Sequence, residues 1–159
     1  MTIYTIGVYN STEESFFDAL SSHHIDMFCD IRQRRGVRGR QYAYVNSSRL
    51  QSKLEEMGID YRYVKELAPT KEIRLMQKES DILNHIEKKQ RTELGDVFKR
   101  EYIKQILDNY DISALIHDFE MKGVENVVFF CVEEHAFACH RSLVAAKAAR
   151  MFNIPVVHL

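Results

Sequence analysis

The feature that most constrains this chain is the run NVVFFCV at residues 126–132, together with the helix-patterned segment beyond it. The run is apolar after its first residue, rich in Val and Phe, and short. Such a segment reads as a strand covered on both faces, and strands of that kind belong to parallel sheets with helices on either side. The next periodic apolar segment is a helix over 141–152, stopped at Asn153. Everything between is therefore a strand-to-helix connection.

The rest of the chain fits the same plan. A short apolar strand over 2–8 is closed by Tyr9-Asn10. Ser11-Thr12-Glu13-Glu14 reads as a capping box, in which the Ser11 hydroxyl takes a backbone N–H and Glu14 reaches back. Phe16, Phe17 and Leu20 then share one helical face. Residues 25–31, IDMFCDI, form a second strand, and 32–40 a polar, glycine-bearing loop. Ser47 or Ser48 is expected to cap a helix through Leu50, Leu54 and Met57, ended by Gly58. A short strand over 61–64 precedes a helix-rich stretch from Pro69-Thr70 to about Met121, ended by Gly123. Residues 155–158 make a last edge strand.

Strands alternating with helices predict an α/β fold: a single domain with a mainly parallel sheet of about five strands flanked by helices, Rossmann-like. The length, 159 residues, suits one such domain. The net charge of −1 excludes a general polyanion binder, so attraction for phosphate must come from local clustering. Three cysteines cannot all pair within one chain, which argues for reduced thiols and a cytoplasmic setting. No signal peptide and no run of the ~18 apolar residues a membrane helix needs is present. The helix-rich 70–121 region is the candidate face for a homodimer.

In open parallel sheets, ligands collect beyond the carboxyl ends of the strands. Those ends are 7–10, 30–40 and 132–141, so three distant segments should meet on one rim. A small residue at Gly7 would let a ligand approach the backbone, with Asn10 beside it. Residues 131–141 hold two thiols, two carboxylates, two imidazoles and a guanidinium. Cys139, at or just before a helix N-terminus, is placed for a lowered pKa and nucleophilic attack. His140 and Glu133 are candidate acid/base groups, and Arg141 a bidentate anion clamp or a partner for Glu133. Cys131, inside the apolar run, reads as packing. The ligand types at 131, 133, 139 and 140 match no standard zinc spacing, so neither metal nor cofactor is expected. The spacing is also wrong for a phosphatase loop, since nine residues separate Cys131 from Arg141 and one separates Cys139 from Arg141.

The second cluster runs from Asp30 through Arg32, Arg34, Arg35, Arg38 and Arg40, followed by Tyr42 and Tyr44. Arginines interleaved with aromatics suit phosphate contacts and base stacking. Asp30 would orient an arginine or act as an acid/base.

The residues Tyr4-Thr5-Ile6-Gly7 with Asn10, Asp30-Ile31-Arg32, Leu67, and Cys131-x-Glu133 followed by Cys139-His140-Arg141-Ser142 resemble the domain-of-unknown-function family 488 of bacterial and archaeal proteins. The resemblance spans almost the whole chain. Val8 stands where many members carry His, and the proline that often follows the Asp-Ile-Arg triplet is missing. The resemblance implies an α/β fold with a rim site and no particular reaction. Two functions are expected from the residues. One is an enzyme acting on a phosphorylated or nucleotide-like molecule. The other is a nucleic-acid-binding or processing module working through the arginine loop.

Overall fold

The computed structural model describes residues 1–87 and 90–159. Strands β1 (Thr2–Ile6), β2 (Met27–Asp30), β3 (Asp60–Tyr63), β4 (Asn126–Phe130) and β5 (Val156–His158) form one sheet in the order β3-β2-β4-β1-β5, with every pair parallel. The fold is α/β, as expected. The unbroken apolar run is covered on both faces, as expected, with Val127–Phe130 wholly buried, and β4 proves to be the central strand.

Alternation along each strand divides the core in two. Ile3, Met27, Cys29, Val127 and Phe129 point to one face. There they meet helices α3 (Lys71–Leu83), α4 (Asp96–Tyr102), α5 (Ile112–Met121) and α6 (His140–Phe152), through Ile73, Phe98, Tyr102, Phe119 and Val144 among others. Ile6, Phe28, Val128 and Phe130 point the other way, onto α1 (Glu13–Ser22) and α2 (Ser47–Glu56). Phe16, Phe17 and Leu20 of α1 and Leu50 and Leu54 of α2 complete that layer. Each such Phe or Leu contributes roughly 1.5–3 kcal/mol through burial.

The topology opens a crevice at the carboxyl ends. The chain leaves β2 toward the β3 edge and leaves the adjacent β4 toward the β5 edge. Diverging connections from neighbouring strands leave the gap in which α/β proteins bind ligands. Ile6 and Asp30 both align with Phe130, so the three connections depart from one level.

Several boundaries differ from the sequence expectation. The strands β1, β2 and β4 end sooner than their apolar runs, and the ladder continues only one residue past β2 and β4 before two successive N–H groups converge on one carbonyl. Val8 and Tyr9 N–H both donate to Val132 O, Cys131 N–H donates to Ile6 O, and Ile31 N–H to Phe130 O. The first helix is capped one residue later than the Ser11 box predicts. Thr12 is the N-cap; its side chain accepts from Ser15 N–H, and the Ser15 hydroxyl accepts from Thr12 N–H. Ser11 instead donates to Val8 O. A short hydroxyl at the third helical position takes the part expected of Glu14. In α2 the N-cap is Asn46, not Ser47 or Ser48. Its Oδ1 accepts from Val37 N–H at 2.7 Å instead of capping the helix, which ties down the arginine loop. No helix among the described residues is long and apolar enough to cross a membrane.

Candidate active-site cleft

A cleft of about 710 Å³ lies at this crevice. Its walls are the loop after β2, the connection after β4, and the cleft-facing side of α3 and α4. It takes in Arg32, Arg34, Arg38, Arg40, Tyr42, Cys131, Glu133, Cys139 and His140, so the two sequence clusters do share one cavity. Asn10, Asp30, Arg35 and Arg141 do not line it.

The catalytic-type chemistry is concentrated where α6 begins. Cys139 is the N-cap of this 13-residue helix and is 2% exposed. Its Sγ lies 3.6 Å from His140 Nδ1. The other ring nitrogen, Nε2, sits 3.1 Å from Ile31 O. A carbonyl only accepts, so Nε2 carries a proton and Nδ1 is left to face the sulfur. Burial alone would raise the Cys139 pKa. A hydrogen bond from the Cys131 thiol and the nearby His140 and Arg141 outweigh it, holding Cys139 well below the ordinary thiol value. Cys131 moves oppositely, raised first by that same hydrogen bond and then by burial. Of the two thiols, Cys139 is the one that ionises. Tyr102 closes the back of the site, its ring tilted on His140 at 5.5 Å and its hydroxyl donating to Leu67 O.

Two of the expected site residues serve as struts. Arg141 is fully buried, and its guanidinium donates to Glu133 O and Glu134 O at 2.5 and 2.8 Å. It takes the backbone carbonyl of Glu133, and its Nε is without a hydrogen-bond partner among the described residues. This explains a cation in a first helical turn, where the dipole disfavours it: the arginine ties the turn after β4 to the start of α6. Asp30 is also fully buried. It accepts from the backbone N–H, Nε and Nη2 of Arg32 and from the Tyr61 hydroxyl. Arg32, held this way, donates Nη1 to Val45 O and lies 4.5 Å over the Phe130 ring.

The arginine loop splits by role. Arg34, Arg38 and Arg40 are exposed on the cleft rim and make no ion pair among the described residues. Arg35 turns away and stacks over Tyr63 at 4.5 Å. Tyr42 reaches the cleft, though it is mostly buried against Tyr9, and its hydroxyl accepts from Asn10 N–H. Tyr44 is packed on Phe16 in the core and is no stacking platform. Asn10, at φ +63°, also donates to the Glu134 carboxylate. Gly7 does not make room for a ligand. A Cβ there would lie 2.0 Å from Glu133 O, so the backbone it admits is the chain's own.

The helix-rich region contributes residues that sequence reasoning misses. Arg91 is 8% exposed on the cleft floor, bonded to Asp81 at 2.7 Å and to Ala138 O, with the Glu133 carboxylate 3.7 Å away. Gln77 supports Asp81 from the preceding turn. Arg74 and Lys78, one turn apart on α3, add positive charge to the opposite rim. A lone Arg-Thr-Glu in a charged helical stretch gives no local signal. The one local cue is the i, i+4 pair of polar residues Gln77 and Asp81 within an otherwise amphipathic helix. The ligating atoms of Cys131, Cys139 and His140 lie within 4.8 Å of one another, near enough to share a soft ion, with no fourth ligand in that group among the described residues.

Fold and site define a doubly wound parallel α/β protein that carries a buried Cys–His pair at a helix start beneath a basic cleft. The family model described as "Domain of unknown function DUF488" matches residues 12–148, and the chain belongs to that family. The matched span takes in Asp30–Arg32 and the 131–142 segment but not Tyr4–Gly7 or Asn10. No curated protein and no solved structure matches the chain.

Proposed function

We propose that the protein is an enzyme that binds a phosphate-bearing small molecule or nucleotide in this cleft and attacks it through the Cys139 sulfur. The observation that carries the reading is the tautomer-locked His140 beside Cys139, on the wall of a cavity rimmed by arginines that make no ion pair among the described residues. Arg34, Arg38, Arg40 and Lys78 hold the anion, and Tyr42 forms the wall beside it. Glu133 and His140 move protons to and from the leaving group. Asp30 positions Arg32, Arg141 positions the turn that carries Glu133, and Asn10 positions Tyr42. Arg35 braces the loop from outside.

In a screen of nucleotides and sugar phosphates, Cys139→Ser and Glu133→Gln should each remove turnover while circular dichroism stays native. Full activity in both variants would end these role assignments. A second readout needs no substrate. The depressed Cys139 pKa keeps a thiolate present as pH falls below the ordinary thiol value of about 8.5, until the folded-state value is crossed. Cys29, raised by burial, stays protonated and silent there. Alkylation at about pH 7 should therefore fall on Cys139. Iodoacetate should gain on neutral iodoacetamide at low salt, and that gain should vanish as salt screens the rim. Equal labelling of Cys29 and Cys139 would contradict the reading.

The exposed trio Arg34, Arg38 and Arg40 favours one alternative, a nucleic-acid-binding role for the loop. Single-stranded RNA or DNA should then bind with an affinity that falls linearly in log salt, and each arginine removed should flatten the slope by about one. No binding at low salt would discard it.

A further inference from the structure

Cys131 has no part in the proposed attack, yet it faces Cys139. We infer that Cys131 and Cys139 form a reversible dithiol that is oxidised to an intramolecular disulfide by hydrogen peroxide, with Cys131 as the resolving thiol. The inference shares Cys139 with the proposed enzyme but needs no substrate in the cleft.

Three observations carry it. First, both sulfurs lie with a His140 ring nitrogen inside a 4.8 Å group. A disulfide bond is about 2.05 Å long, so forming it requires one thiol to turn about χ1 toward the other. Second, both residues line the cleft, so an oxidant that enters it meets both. They are only 8% and 2% exposed, which admits a small peroxide more readily than a bulky disulfide. Third, the two thiols differ in role. Cys139 holds the N-cap position of α6 with His140 Nδ1 3.6 Å from its sulfur, whereas Cys131 directly follows the central strand. One is set to attack and the other to resolve. The third cysteine, Cys29, is buried in β2 and lines no part of the cleft, so it serves as an internal control.

The steps balance. The Cys139 thiolate attacks one peroxide oxygen; the O–O bond breaks, hydroxide leaves and the sulfur becomes a sulfenic acid. The Cys131 sulfur then attacks the Cys139 sulfur. The S–O bond breaks, the departing oxygen takes up the Cys131 proton, and water leaves. Both cysteines are oxidised by one electron each, and the peroxide is reduced to two waters once the hydroxide is protonated. An added dithiol reverses the bond. The oxidised form has lost its Cys139 nucleophile, so peroxide should also halt any turnover that depends on it.

The test exposes the full-length protein to hydrogen peroxide, quenches with acid, and alkylates in denaturant before mass spectrometry. The expected result is a product lighter by two hydrogens, a crosslinked peptide joining 131 to 139, one alkylated cysteine at 29, and full recovery with dithiothreitol. Cys131→Ser should instead stop at a dimedone-reactive sulfenic acid or run on to sulfinic acid at Cys139. The wild-type measurement decides the matter even if that variant folds poorly. Three alkylatable thiols after peroxide, or Cys139 over-oxidised while Cys131 stays free, would overturn the inference. So would zinc retained by the untreated protein through these thiols. Each of those outcomes is separable from the nucleophile reading, which is judged by turnover in Cys139→Ser.

Discussion

Asp30→Ala is expected to destabilise the protein by about 3–5 kcal/mol, the usual cost of breaking a buried ion pair by removing one partner. Asp30 is wholly buried and accepts four hydrogen bonds, three of them from Arg32. Without it the Arg32 guanidinium, 2% exposed, keeps one bond to Val45 O and the face of Phe130. A cation–π contact returns up to about 2 kcal/mol when desolvated, too little to hold a cation out of water. Removing both charges should cost much less than the two single changes together, because Asp30→Ala/Arg32→Met leaves no orphaned charge. Urea denaturation of the four species completes the cycle. Additive single effects, or a loss below about 1 kcal/mol for Asp30→Ala, would mean the pair is not a buried strut.

Asp30 also marks where sequence reading reaches its limit. That the strand over 25–31 ends in an acid two residues before an arginine is visible in the chain, and it suggests a pair. Whether that pair faces a ligand or the core depends on parity. Phe28 and Asp30 lie on the same face of β2, and that face is covered by α1 and α2. The apolar pattern of β2 and β4 is clear because period-two alternation and unbroken runs are local properties. The burial of β4 on both faces, the α/β class and the meeting of 30–40 with 131–141 follow from such patterns. Arg141 reads as a clamp because its charge and position are local, while the two carbonyls it binds come from a turn whose path no local pattern encodes. Arg91 escapes notice for the same reason: its partners Asp81 and Ala138 are 10 and 47 residues away in the chain. Capping residues shift by one position because Ser11, Thr12 and Ser15 are interchangeable as hydroxyl acceptors until the backbone angle of Thr12 selects among them. The sequence signal thus decides which residues reach the rim more reliably than which way each one faces.

Gly7→Ala tests the architecture beneath the cleft, and a loss of about 3 kcal/mol or more is expected from overpacking against backbone. Its φ is not the reason, since Gly7 is not among the positive-φ residues. The obstacle is the Glu133 carbonyl. A Cβ would sit 2.0 Å from its oxygen, 2.9 Å from its carbon and 3.2 Å from Arg141 Nη2. Neither partner can yield cheaply. Arg141 grips Glu133 O and Glu134 O, while Val8 and Tyr9 N–H hold Val132 O from the other side. Relief requires β1 and the 132–134 turn to part, which releases those bonds and shifts Glu133 and the start of α6. The variant should therefore lose stability and the selective alkylation of Cys139 together. Gly39→Ala supplies the control. Gly39 has φ +88° and open space around it, so its substitution meets backbone strain alone, about 1–2 kcal/mol. Should Gly7→Ala prove no more damaging than Gly39→Ala, and leave Cys139 labelling intact, the contact between β1 and the 132–134 turn would not be what holds the thiol in place.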